Sequence, residues 1–538
     1  MGARHGEGII SAGHPVTVEA GLEILKAGGN AVDAAVAAAF TSMVAEPMLT
    51  DIGGGGYMLT SSSSGDCVYD FFVRGPGFGS GLSPDALDFR EIEIDFRGTT
   101  QRFHVGLGAA AVPGNVSGLC TAHEREGSLP LSEVIAPALH HARTGVVVTE
   151  ALAFILEVIG PIFQTDPTLN SVVTRDNRLL QAGDVMDYSH VAPVLEILAR
   201  EGSNAFYRGD IAAKIATYCE ENGGLITRED LAKYSTHIYK PIVREVGGHT
   251  LRLNGPPATG GALVAFMLQL CEGLKGFESM SHQEDTRLRA LAMHVANLAR
   301  AKYIDPLMGK GLTRDPLDDS EILETYRSML RSMFYDGAHI DDSSPEPTLP
   351  GNTTHISVID KNGNAAAITT SNGEGSGCLV PECGVHLNNM LGEEDLNPLG
   401  FHLTPAGGSL PSMMCPMIID GKDGGRAVLG SGGSNRIRTA LFQTAYWMMF
   451  KKQSVTEAIL TPRMHVEKGL IQAESGISET GLESLSAQGL EVNRWSTTNL
   501  YFGGVHGVAS YGDGTLEGHG DPRRGGRSGT LVSEDIIS

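Results

Sequence analysis

The chain has 538 residues, 41% hydrophobic and 19% charged, which is enough for a large core and for either several domains or one large layered-sheet domain. Its 63 acidic and 40 basic residues give a net charge of −23, which leaves no basic excess for nucleic acid. No apolar run approaches the roughly 18 residues of a membrane span, so neither a transmembrane helix nor a membrane partner is expected.

The seven cysteines are dispersed and form no CxxC pair, so neither a disulfide framework nor a zinc site is indicated. Free buried thiols are expected. The first residues, MGARHGEGIISAGHP, hold no apolar export core, and the expected location is cytoplasmic. Helical spacing at 16–27 ends in Gly28-Gly29-Asn30, a C-cap pattern. An Ala- and Val-rich helix at 31–40 carries one Asp33, which needs a partner. The four glycines of DIGGGGYM at 51–58 lack the Lys-Ser/Thr of a phosphate loop, and close backbone packing in a buried strand is the better reading. Another strand is expected at 69–76. Amphipathic helices are expected at 132–144, 194–201, 211–222, 262–274, 282–307 and 321–334. Beyond residue 353 short apolar runs at 385–391, 417–420, 427–430, 466–471 and 503–511 read as strands, with a helix at 437–451. Helices flank strands in both parts, which suits one α/β layered domain rather than separate modules.

The stretch that organises the chain is PGNTTHISVIDKNGNAAAITTSN, residues 350–372. An acidic, proline-rich run at 341–352 reads as an exposed loop. Ile356 and Val358 then alternate with Ser357 and Ile359, Asn362-Gly363 signals a hairpin turn, and a second strand returns over 365–371. Thr353 and Thr354 therefore stand where a loop becomes a strand. A Thr hydroxyl there can attack the preceding peptide carbonyl, and hydrolysis of the resulting ester would cut between Asn352 and Thr353. The new α-amine, with a reference pKa near ~8, could then accept the proton of its own hydroxyl. The same residues also suit an ordinary Thr-rich edge strand.

NTTHISVIDKNGNA resembles the processing and nucleophile motif of the γ-glutamyltransferases, which belong to the N-terminal-nucleophile hydrolases. AGHPVTVEAGLEILKAGGNAVDAAVAAAF, DIGGGGYML, AAAVPGNVSGL, NGGLITREDLAKY, GPPATGG, LNNMLGEEDLNP, GSGGSNRIRTA and DPRRGG resemble further family blocks in the same order across nearly the whole chain. The resemblance implies a four-layer αββα sandwich built from two regions. These are 1–352, ending in the acidic linker, and 353–538, beginning with the nucleophile, held together after cleavage as a heterodimer of the chain's own fragments. It implies acyl transfer from a small-molecule γ-glutamyl amide to water or an acceptor amino acid through a Thr353 ester. No cofactor and no metal are implied.

By the same resemblance Thr353 is the nucleophile. Ser371 positions its amine, Asn372 binds substrate, and the turn Gly432-Gly433-Ser434 supplies oxyanion donors from Gly433 and Ser434. Glu393 or Glu394 would hold the substrate amine, and Ser412 matches one of a family pair of serines. Three positions depart from the pattern. Phe72 stands where the family carries a carboxylate-binding Arg, with Arg74 two residues on and, in a strand, on the same face. Met390 replaces a Gln, and Met413 replaces the second Ser. These changes keep two alternatives open: a related acylase with a less polar acyl group, and an uncleaved inactive homologue acting as a binding protein.

Overall fold

The computed structural model describes residues 4–79, 81, 83–95, 100–308, 311–340 and 352–532. Residues 341–351 of the acidic linker expected at 341–352 lie outside the described residues. In chain order the strands of the two main sheets are β1 (Arg4–His5), β2 (Gly8–Ala12), β3 (Gly55–Ser62), β4 (Gly65–Phe71), β5 (His237–Tyr239), β6 (Ile242–Val246) and β7 (His249–Leu253). They continue as β8 (Thr354–Asp360), β9 (Ala365–Ser371), β10 (Met417–Asp420), β11 (Arg426–Gly432), β12 (Gly504–Ser510), β13 (Thr515–Gly520) and β14 (Arg527–Leu531). One sheet runs β5-β4-β3-β9-β8-β2-β14 and the other β1-β13-β12-β11-β10-β7-β6, with antiparallel neighbours throughout.

Helices α1 (Pro15–Lys26) and α2 (Ala31–Ala45) cover the first sheet, and α3 (Gly260–Glu272) and α5 (Arg436–Lys451) cover the second. Helix α4 (His282–Tyr303) packs on α3. The sheets meet face to face through β8, β9, β11 and β12, completing the four αββα layers. Each sheet takes strands from both sides of residue 353, so fragments cut there would stay interlocked through backbone ladders.

The alternation in β8 sets the layers. Ile356 and Val358 join the core under α1 and α2, while Ile359 joins the core between the sheets. Both β8 and β9 are buried along their whole length. The expected turn is present, with Gly363 at φ +77° and its N–H donating to the Asp360 carbonyl at 2.9 Å.

Asp33 has the partners the sequence did not reveal. It closes a capping box with Asn30, and its Oδ2 accepts from Ser128 N at 3.0 Å and Ser128 Oγ at 2.6 Å. The four-glycine stretch packs as expected: a Cβ on Gly54 would lie 2.2 Å from the Ser371 carbonyl oxygen. Several boundaries differ: the helix expected at 31–40 runs on to Ala45, the strand expected at 69–76 stops at Phe71, and of the strand expected over 385–391 only Val385–His386 forms. The helix expected over 282–307 ends at Tyr303, followed by a 3₁₀ turn, Asp305–Leu307. The run at 466–471 is not one strand but the two arms Met464–Glu467 and Leu470–Ala473, turned by Lys468 and Gly469 at positive φ. The seven cysteines are unpaired, and six are buried. Among the described residues no helix is long and apolar enough to cross a membrane.

Candidate active site

Thr353 immediately precedes β8 and sits opposite Ser371, because Thr354 pairs with Thr370 in the ladder. Both residues are buried and line one narrow cavity of about 50 Å³. Asn352 lines it too. The Ser371 hydroxyl donates to the Asn352 carbonyl at 2.5 Å and accepts from Gly373 N at 2.9 Å. That carbonyl belongs to the Asn352–Thr353 peptide. The side chain expected to position a future amine therefore sits on the carbonyl oxygen of the bond expected to be cut, where negative charge would develop under attack.

The Thr353 carbonyl is held from two other directions. Arg524 Nη1 donates to it at 3.4 Å, and a Cβ on Gly432 would lie 2.0 Å from it. Only glycine permits that approach of β11 to the Thr353 backbone. Thr354 points away from the cavity: its Oγ1 donates to Glu46 Oε1 at 3.4 Å. Burial pushes the Glu46 carboxyl up to about 8. His355 bridges Thr369 and Ser357 at 2.8 and 3.0 Å, and burial holds its pKa well below the usual range, as befits a packed strand residue.

Where β11 runs into α5, Gly433 has φ +123° and Ser434 φ +46°. A left-handed serine is uncommon and costs roughly 1–2 kcal/mol. It is held by Asp395, whose Oδ2 accepts from Ser434 Oγ and Asn435 Nδ2, each at 3.0 Å. Ser434, Asn435 and Asp395 all line the cavity. Burial raises the Asp395 carboxyl, with Glu467 adding to the effect.

Of the expected substrate residues, Glu393 and Ser412 line the cavity, and so do the departures Phe72, Met390 and Met413. Asn388 shapes that wall, its Oδ1 accepting from Met390 N at 3.1 Å and Ala111 N at 3.1 Å. Three expected residues lie elsewhere. Glu394 is exposed, at the start of the 3₁₀ turn Glu394–Leu396. Asn372 is buried outside the cavity, with its N–H on the Leu49 carbonyl at 3.3 Å.

Arg74 is the clearest correction. The strand ends at Phe71, so the alternation that would keep Phe72 and Arg74 on one face does not continue. Phe72 enters the cavity. Arg74 instead pairs with Asp70 at 3.0 Å and faces a separate pocket beside Phe78, Asp230 and Lys233. The pair is almost fully buried, at 6% and 0% side-chain exposure. Arg74→Met should therefore cost about 3–5 kcal/mol of stability in chemical denaturation. The KM for an acyl donor should stay the same in enzyme that remains folded.

The sequence reading missed Asp395, Asn435 and Arg300. Asp395 closes the GEED run, and the 3₁₀ turn there puts positions 393 and 395 on the cavity while 394 faces out. Asn435 directly follows the glycine turn. Arg300 enters from the last turn of α4, bonded to Asp305 at 3.0 Å and 3.7 Å from Glu467, and no local pattern marks it.

The family model for gamma-glutamyltranspeptidase matches residues 17–531. The chain belongs to the γ-glutamyltranspeptidase family. It is thus an N-terminal-nucleophile hydrolase, from a family of enzymes acting on small molecules. Similar γ-glutamyltranspeptidase relatives include the glutathione hydrolase proenzyme of Escherichia coli (strain K12), 30% identical over 96% of this chain and 90% of that protein. The Acylase ACY 1 proenzyme of Pseudomonas sp. (strain V22) is 33% identical over 95% of this chain and 91% of that protein. Among solved structures, the cephalosporin acylase of Bacillus halodurans shares the fold, with a TM-score of 0.82 at 22% identity over 98% of this chain and 97% of that one.

Proposed function

We propose that the chain cuts its own Asn352–Thr353 bond and then uses Thr353 as the nucleophile of an amidase and acyltransferase acting on γ-glutamyl amides, glutathione among them. The observation that carries this reading is the Ser371 hydroxyl on the scissile carbonyl, with Thr353 at the same cavity. In the cut, Thr353 Oγ adds to the Asn352 carbonyl carbon, and Ser371 stabilises the oxyanion. The C–N bond breaks and the Thr353 nitrogen takes up the hydroxyl proton, leaving an ester. Water hydrolyses that ester to an Asn352 carboxylate and a free Thr353.

In turnover the α-amine of Thr353 takes the Oγ proton as Oγ attacks the donor's acyl carbon. Backbone N–H groups of Gly433 and Ser434 receive the oxyanion, the protonated amine returns its proton to the leaving amine, and an acyl-Thr353 ester forms. Water or an acceptor amino acid releases the acyl group. Two fragments, 1–352 and 353–538, are the minimal assembly.

A second reading, an acylase with a less polar acyl group, is favoured by the Phe72, Met390 and Met413 walls and by the acylase relative at 33% identity. A donor panel separates the two. Purified cleaved protein should hydrolyse γ-glutamyl-p-nitroanilide with a kcat/KM at least ~10-fold above that for butyryl-p-nitroanilide, by polar contacts alone. A faster butyryl donor would replace the first reading by the second. Added glycylglycine that accelerates nitroaniline release would identify transfer beside hydrolysis.

A further inference from the structure

Two large cavities border the narrow one at Thr353. One, of about 600 Å³, shares the wall residues Met308, Leu396 and Pro411 with it. The other, of about 630 Å³, shares Asn352 with it. The cavity at Thr353 has room for roughly four water-sized groups, so the bulk of a larger substrate must lie beyond it. Asn352 carries the acyl group of the first reaction proposed above, so its side of Thr353 is the acyl side. The 600 Å³ cavity is not lined by Asn352 and adjoins through a different wall. That places it to take the other half of an amide, the group on the nitrogen.

The chemistry of this cavity is apolar. Leu396, Leu399 and Leu403 line it together with Pro257, Met308 and Tyr239. Leu399 and Leu403 are 52% and 62% exposed, so two large apolar side chains stand in water at its rim. One exposed leucine is ordinary, but two on the edge of a single apolar cavity mark a surface that a ligand covers. Among the described residues that line it there is no lysine, arginine or glutamate. Its carboxylate, Asp70, is bound to Arg74 at 3.0 Å, and His237 is exposed. The Tyr239 hydroxyl donates to the Gly255 carbonyl at 3.1 Å. No buried cation among these residues meets a ligand carboxylate.

We propose that this cavity is the amine-side pocket: it holds an uncharged apolar group on the nitrogen of the scissile amide, and the same group on an acceptor amine, in preference to an amino acid with a free carboxylate. The proposal rests on the Thr353 amidase reading above. It narrows the amine half of the substrate, whichever acyl group the cavity at Thr353 takes.

Amides of one acyl group, γ-glutamyl or butyryl according to the donor panel, test this on the cleaved enzyme. Methylamine and hexylamine are nearly equal bases, so their amides differ in apolar area and not in leaving-group chemistry. The kcat/KM of the hexylamide should exceed that of the methylamide by at least ~30-fold. The glycine amide, which ends in a carboxylate, should fall at least ~10-fold below the hexylamide. The double variant Leu399→Asp, Leu403→Asp should shrink the hexyl-to-methyl ratio to less than ~5-fold. Completed self-cleavage of that variant shows that it has folded. A wild-type ratio near one, a glycine amide preferred to the hexylamide, or a ratio unchanged in the double variant would overturn the pocket. With p-nitroaniline as the fixed amine, hexanoyl and acetyl donors read acyl chain length. A double variant that lowers this second ratio and spares the first would assign the cavity to the acyl half and overturn the proposal.

Failure of the parent reading is visible separately. A chain that stays uncut and inactive removes both ideas. A cleaved chain that hydrolyses no amide removes the amidase reading alone. Calorimetric titration of N-hexylacetamide and N-methylacetamide then still decides the pocket: tighter binding of the hexyl compound, lost in the double variant, supports it, and equal binding overturns it.

Discussion

Thr353→Ala should leave the chain whole at 56.9 kDa, with no fragment beginning at residue 353. Alanine has no oxygen to attack the Asn352 carbonyl, so neither the N-to-O shift nor the later acyl ester can form. Donor turnover should fall by roughly 10⁴-fold or more, the scale of losing a covalent nucleophile. The fold should survive, because removing a small hydroxyl and methyl at a cavity wall disturbs no core layer. Thr353→Ser keeps the hydroxyl and should still cut. Denaturing gels and intact mass read the cut, and nitroaniline release reads the turnover. A Thr353→Ala protein that splits at the same bond would assign the nucleophile elsewhere.

The second large effect is expected at a residue with no reactive group. Gly432→Ala would place a methyl 2.0 Å from the Thr353 carbonyl oxygen, far inside contact distance. Gly432 pairs with Gly504 in the centre of a sheet, so β11 cannot easily retreat. The loss must come from displacement of Thr353 itself. A shift of about 1 Å between reacting groups costs on the order of 100-fold. Self-cleavage of Gly432→Ala should slow by at least that factor while circular dichroism shows an unchanged fold. Cleavage at the wild-type rate would mean that the backbone of β8 accommodates the methyl and that this contact does not position the nucleophile.

Much of this arrangement is written locally. The hairpin at 353–371 needs only alternation and Asn-Gly, and these properties act between neighbouring residues. The layer assignment of Ile356, Val358 and Ile359 follows from the period of a strand. What sequence did not give is pairing across space. Asp33 meets Ser128, and Ser371 meets the Asn352 carbonyl, through contacts that no spacing rule encodes. Arg74 shows the opposite case: the period-2 rule does not hold past Phe71, where the strand stops and Asp70 captures the guanidinium. The sequence leaves Glu393 and Glu394 open as alternatives, because the local turn decides which of them faces inward. A 3₁₀ turn replaced the expected continuation, so Glu393 and Asp395, rather than Glu394, face the cavity. The hairpin at Lys468-Gly469 was hidden because the apolar run on either side of it reads as continuous.

The position of Ser371 is set by the sheet rather than by the loop that follows it. The hydroxyl is set by the last residue of β9, opposite Thr353 in register, so its placement depends on the ladder and not on the loop that follows. The Gly373 N–H then fixes its orientation by donating to it.

The most direct test of the central claim is N-terminal sequencing and intact mass of the wild-type protein after purification under native conditions. The account predicts two fragments that remain associated until denatured, the smaller beginning Thr353-Thr354-His355. A single uncut chain of 56.9 kDa, or a cut at any other bond, would contradict it.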